Sequence, residues 1–113
     1  MGYMKHNAIV VTGARYEEEA FLLAHKKAVE LFEELVSPVI NSHWNGNMSF
    51  FIAPDGSKEG WGESNEGDRL RKELSDYIDS LAYGDGSNSV KFVDVSYDED
   101  HDVEVERTNR PIE

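Results

Sequence analysis

The apolar positions of this chain switch between two periods. Ala8 to Val11 is a short, largely β-branched run bounded by His6-Asn7 and Thr12-Gly13, which reads as a buried strand. From Glu17 to Val36 the spacing changes. Phe21, Ala24, Ala28, Leu31 and Leu35 recur at alternating steps of three and four, and Ala20, Phe32 and Val36 widen the stripe, as in an amphipathic helix. Glu17, Glu18 and Glu19 fall in its first turn, where the helix dipole favours negative charge. Ser37-Pro38 ends it, because proline disfavours helical geometry in the residue before it. Val39 to Trp44 and Met48 to Ala53 then flank Asn45-Gly46, the dipeptide that best accepts the positive φ angles of a tight hairpin. In the second arm Met48, Phe50 and Ile52 share one side, which assigns Phe50 to the core, and Pro54-Asp55-Gly56 closes the arm in a turn. A second helix is expected from Ser64 or Asn65, carrying Leu70, Leu74, Tyr77, Ile78 and Leu81 on one face until Gly84 stops it, with Gly67 weakening its first turn. Val90 to Tyr97 reads as a strand, and Val103, Val105 and Arg107 as a shorter edge strand; residues 108–113 are expected to fray.

The order β-α-β-β-α-β plus a C-terminal edge strand predicts an α+β, ferredoxin-like fold: an antiparallel sheet with two helices on one face. At 113 residues the chain is expected to form a single domain, 1–113, so any site must share that one core. Such a fold hosts many activities, and function has to be read from side chains.

Charge narrows the choice of partner. A formal net charge of −12, from 23 acids against 11 Lys and Arg, argues against a nucleic-acid polymer, since phosphate neutralisation supplies most of that affinity. The acids are uneven: Asp94 to Glu106 holds seven and no Lys or Arg. There is no cysteine, which removes disulfides and thiolate chemistry and fits a reducing compartment, so the cytosol is expected. The run Ala8 to Val11 is too short for a signal peptide or a membrane span.

The densest candidate chemistry is the stretch FFIAPDGSKEGW. A turn could present Ser57 and Lys58 to a phosphate, while Phe51 or Trp61 offers a flat face to a base. Against this, strand aromatics usually belong to a core, and a lone lysine after Asp-Gly is usually solvated. His43 and Trp44 could add a titratable donor and a second ring at the hairpin tip, or serve packing or an oligomer contact. Lys26, with His25 and Lys27, is the compact basic group of the first helix. It could anchor phosphate, although the outer face of an amphipathic helix accounts for it better. Arg69, Arg71 and Lys72 alternate with Glu66, Asp68 and Glu73 and read as ion pairs on a solvated face. No glycine-rich phosphate loop, HExxH or GxSxG motif occurs, and His101 among Asp98, Glu99, Asp100 and Asp102 lacks the spacing of a calcium loop. Binding is therefore expected, with no catalytic group, metal or cofactor implied.

The segments HNAIVVTG, ELVSPVI, SFFIAPDGSKEGW and SNEGDRLR resemble a family of small phage and prophage proteins over His6 to about Tyr97, with SFFIAPDGSKEGW the most specific marker. That family resembles in turn the anti-CBASS sponges, which sequester the cyclic dinucleotide signal of bacterial antiphage defence as tetramers. The resemblance implies stoichiometric capture of a ligand like 3′3′-cGAMP, without cleavage, by a homo-oligomer in the infected bacterial cell. From residue chemistry, and not carried over from that family, Ser57, Lys58 and Trp61 are expected as the central contacts, with His43, Trp44, Phe51 and Lys26 in support. The −12 charge opposes such a ligand at long range and must be offset locally. The competing expectation is an acidic interaction protein that imitates DNA and inhibits a host protein.

Overall fold

The computed structural model describes residues 5–56, 62–98, 100 and 102–111. In chain order the elements are β1 (His6–Ala14), α1 (Glu18–Phe32), β2 (Ile40–Asn41), β3 (Asn47–Ile52), α2 (Gly62–Ser80), β4 (Lys91–Tyr97) and β5 (Glu104–Thr108). The strands form one antiparallel sheet in the order β2-β3-β1-β4-β5, the ferredoxin-like order with an added edge strand.

The helices bury their stripes against one sheet face. Phe21, Ala24, Ala28 and Phe32 of α1 and Leu74 and Ile78 of α2 pack on Ile9, Val11, Met48, Phe50, Ile52 and Phe92. Phe50 is 1% exposed, as its alternation requires. Gly13, directly opposite Met48 in the β1-β3 ladder, leaves room for Phe21: a Cβ at this position would lie 2.6 Å from Phe21 Cδ2. Gly13→Ala is therefore expected to cost about 1–3 kcal/mol through overpacking, measured by urea unfolding. A neutral or stabilised variant would contradict this account.

Several boundaries differ from the sequence expectation, each for a local reason. β1 is nine residues long because its polar ends, His6-Asn7 and Thr12 to Ala14, also find ladder partners on β4 and β3. α1 ends at Phe32, four residues before Val36, where Glu33 takes φ 53° and opens a one-turn 3₁₀ segment, Glu33–Leu35. The first hairpin arm shrinks to Ile40–Asn41, and the tip is residues 43–46, with Ser42 N donating to Asn47 O at 2.9 Å. Asn45 and Gly46 both have positive φ, 59° and 65°, as the tight turn demands. α2 starts at Gly62, ahead of the expected caps. Asn109 is tied down, not frayed, donating to Val90 O and accepting from Phe92 N.

Arg71 overturns its assignment to a solvated face. It is 7% exposed, ion-paired with Asp68 at 2.5 Å, and its Nε has no hydrogen-bond partner among the described residues. Asp94 is likewise fully buried: Arg107 Nη1 donates to its Oδ2 at 2.7 Å and Asn7 Nδ2 to its Oδ1 at 3.2 Å. Asn7 also donates to Glu106, which pairs with Lys5.

Candidate functional site

The sheet end carrying the β2-β3 tip gathers polar donors from four separate segments. Thr12 and Lys91 are directly opposite each other in the β1-β4 ladder, and Thr12 also pairs with Ser49. With Ser42, Asn47 and Ser89 they line a cleft of about 320 Å³ that also touches Gly13 and Ala14. The loop after α2 is preorganised. Asn88 is buried, donates to Ile78 O at 2.7 Å and accepts from Val90 N at 3.0 Å, while Asp85 accepts from both the backbone and the hydroxyl of Ser87. Lys91 opens β4 directly after this loop.

Lys91 also lines a second cleft of about 320 Å³, together with Tyr83, Asn88, Asn109 and Arg110. Its one carboxylate, Asp79, accepts a bond from the Arg110 backbone N–H. The Tyr83 hydroxyl interacts with Ser89 and Glu17. The Ser89 bond lowers its pKa, but desolvation and the Glu17 carboxylate outweigh that and raise it, so it stays a neutral donor at pH 7.

Electrostatics separates this end from the rest of the surface. Lys5, Lys27, Arg69, Arg71, Lys72 and Arg107 are all engaged by carboxylates. Of the four cations that make no ion pair among the described residues, Lys91, Arg110 and Arg15 lie at this end and Lys26 lies on the helix layer; Arg15 sits beside the hairpin tip, its N–H donating to Gly46 O and its guanidinium to Asn41. Of five clefts lined by described residues, the Thr12–Lys91 cleft alone has no carboxylate. The largest, about 640 Å³, sets Leu31, Phe32, Leu35 and Leu70 beneath Glu33, Glu34, Asp55 and Glu66, a rim that repels phosphate.

The expected site residues are only partly brought together. His43 and Trp44 occupy the tip at the Lys91 end, flanked by the cleft residues Ser42 and Asn47, and Trp44 is 79% exposed. Phe51 points from the open sheet face, 40% exposed and two residues along β3 from Ser49. Lys26 is exposed on the helix layer, beside Leu23, Glu30 and Tyr77, and belongs to a different surface. His25 of the same basic group turns inward: its Nε2 donates to Ser37 O at 2.9 Å and its ring meets Phe50 edge-on. Lys27 pairs with Glu73. Ser57, Lys58, Trp61 and His101 lie outside the described residues; the flanks of the first three, Asp55 and Gly62, line the acidic 640 Å³ cleft at the opposite end of the sheet.

Thr12, Ser49, Ser89, Lys91 and Arg110 were missed by reading along the chain. The one available signal was the small, hydroxyl-rich run Gly84 to Ser89 leading into Val90-Lys91. Among the described residues no three His, Asp or Glu side chains converge as metal ligands would, and no helix is long and apolar enough to cross a membrane. No family model matches the chain, and no curated protein or solved structure matches it significantly.

Proposed function

We propose that this protein captures a small phosphate-bearing nucleotide of the cyclic dinucleotide class at the loop end of its sheet and holds it without cleaving it. The observation that carries this reading is the carboxylate-free cleft of Thr12, Ser42, Asn47, Ser49, Ser89 and Lys91 in a chain of net charge −12. Hydroxyls, an amide and an ammonium are donors for phosphate oxygens, and a hydrogen bond to a charged group is worth about 1.5–3 kcal/mol. Trp44 at the adjoining tip supplies a stacking face, worth about 1–3 kcal/mol per base. The resemblance carried by SFFIAPDGSKEGW supports the same ligand class and adds a homo-oligomer in the cytoplasm of an infected bacterium.

Calorimetry with 3′3′-cGAMP and other cyclic dinucleotides tests the reading. Binding is expected, the nucleotide recovered after heat denaturation should be intact, and Lys91→Ala should weaken binding by about tenfold or more. Because Lys91 is exposed, that variant should keep its stability within about 0.5 kcal/mol. Absence of binding to every cyclic dinucleotide, or recovery of a hydrolysed product, would overturn it.

One observation favours a second reading. Asp98, Asp102, Glu104 and Glu106 surround a cleft of about 210 Å³ beside β5, where Lys5 and Arg107 both reach Glu106. This acidic edge suits an interaction protein that docks on a basic host partner, and such binding would weaken steeply with salt and ignore nucleotides.

A further inference from the structure

The sheet has a second face that no helix covers. Cross-strand pairing places Val10 between Phe51 and Val93, Val95 between Ala8 and Val105, and Tyr97 opposite His6, whose ring lies 5.2 Å from that of Tyr97. Phe51, Val10, Tyr97 and Val105 all remain substantially exposed on this face. Around them stand Thr12, Ser49, Asn47, Lys91 and Thr108. The acids of β4 and β5 turn the other way: Asp94 is opposite Arg107, Ser96 is opposite Glu104, and Glu106 is drawn by Asn7 and Lys5 toward the helix side of the sheet, across the irregularity between Asp94 and Val95. Among the described residues the paired strand positions of the open face therefore carry no carboxylate, in a chain that has 23 acids; Asp98, Asp102, Glu104 and Glu106 gather at its Tyr97 corner.

We infer that this face is where a second copy of the chain docks, sheet against sheet. Two chains of charge −12 repel, and a two-fold contact sets each patch against itself, so the surface that can self-associate is the one whose paired strand positions are free of acids. The exposed apolar helix surface fails this condition, because Leu22, Leu23 and Val29 are interleaved with Glu18, Glu19 and Glu30. The size is adequate. Four strands about 4.8 Å apart and seven residues long, at about 3.3 Å per residue, give a footprint of roughly 450 Å² in plan, which side-chain relief raises toward the roughly 800 Å² per partner of a stable interface. The inference follows from sheet geometry and charge, and the cleft residues Thr12, Asn47, Ser49 and Lys91 lie at the loop end of this same face.

Light scattering coupled to gel filtration, without nucleotide, tests it on the full chain. The wild type is expected at twice its 12.8 kDa chain mass, and Phe51→Glu and Val105→Glu at the single mass with unchanged circular dichroism. Leu22→Glu, on the helix layer, should stay dimeric. Added salt should tighten the dimer by screening the repulsion between protomers. A monomeric wild type, dimers that survive both sheet-face variants, dissociation by Leu22→Glu, or a dimer loosened by salt would each overturn the inference. Failure here leaves Lys91-dependent nucleotide binding intact, and loss of that binding leaves the mass unchanged.

Discussion

Phe50→Ala is expected to lower the free energy of unfolding by about 3–5 kcal/mol, the range for truncating a fully buried phenylalanine. The ring is 1% exposed and sits where three elements meet. It meets Phe21 of α1 edge-on with centroids 5.5 Å apart, lies 4.9 Å from the His25 ring, and stands opposite Val11 on β1. Its neighbours cannot close the gap cheaply. Phe21 already lies close over Gly13, in the space a Cβ would fill, and His25 is tethered to Ser37 O. Removing the ring therefore costs the transfer energy of its carbons and leaves most of a cavity. Urea unfolding should show a lower midpoint with an unchanged slope. A loss below about 1.5 kcal/mol would mean that α1 slides into the vacated space, and the rigid contact described here would be wrong. Phe51→Ala, one position along on the open face, should cost far less, which separates the two sides of β3.

How much of this was legible in the sequence depends on the range of the interaction. The α1 stripe through Phe21, Ala24 and Ala28 and the alternation Met48, Phe50, Ile52 are local patterns, and local periodicity reports burial directly. Element order then restricted the topology to an antiparallel sheet with short connections. The break at Glu33 was not legible, because a non-glycine residue at φ 53° leaves no capping signature. Nor was the polar cluster: Asn7, Asp94, Glu106 and Arg107 come from the two ends of the chain, and an acid on a strand looks solvated until its partner is known. Arg71 was misread for the same reason, as its exposed neighbours Arg69 and Lys72 make the surface pairs expected of all three. The candidate cleft has the same character. Thr12, Ser49, Ser89 and Lys91 are ordinary residues in their own segments and acquire meaning only through cross-strand register. What the sequence did convey was that a phosphate ligand would need local positive charge in an acidic chain; under the proposed function Lys91, Arg110 and Arg15 would supply it at one end of the sheet.

Arg107→Met is expected to destabilise the fold by about 3–5 kcal/mol at pH 7, because it strips the partner from a carboxylate that has no access to water. Burial pushes the Asp94 carboxyl above its ordinary pKa even now, against the Arg107 and Asn7 hydrogen bonds and the positive charges of Arg107 and Arg71. Without Arg107 it must rise further. A carboxyl with a higher pKa in the folded state contributes stability that is full below its unfolded value and lost as pH rises through the folded one. Glu106 behaves oppositely. Desolvation raises it, but the Asn7 bond, Lys5 and Arg107 together hold it below the usual carboxylate range, so its contribution is present at neutral pH and fades on acidification. Both effects make the variant's deficit greatest near pH 7 and smaller toward pH 4. Asp94→Asn combined with Arg107→Met should recover most of the loss, since a neutral amide no longer leaves a buried charge unmatched. Urea unfolding of the two single variants and the double variant across that pH range measures all three quantities. A deficit under about 1 kcal/mol at neutral pH, or one that grows on acidification, would show that Asp94 reaches water in solution and that β5 is not clamped to β4 by this pair.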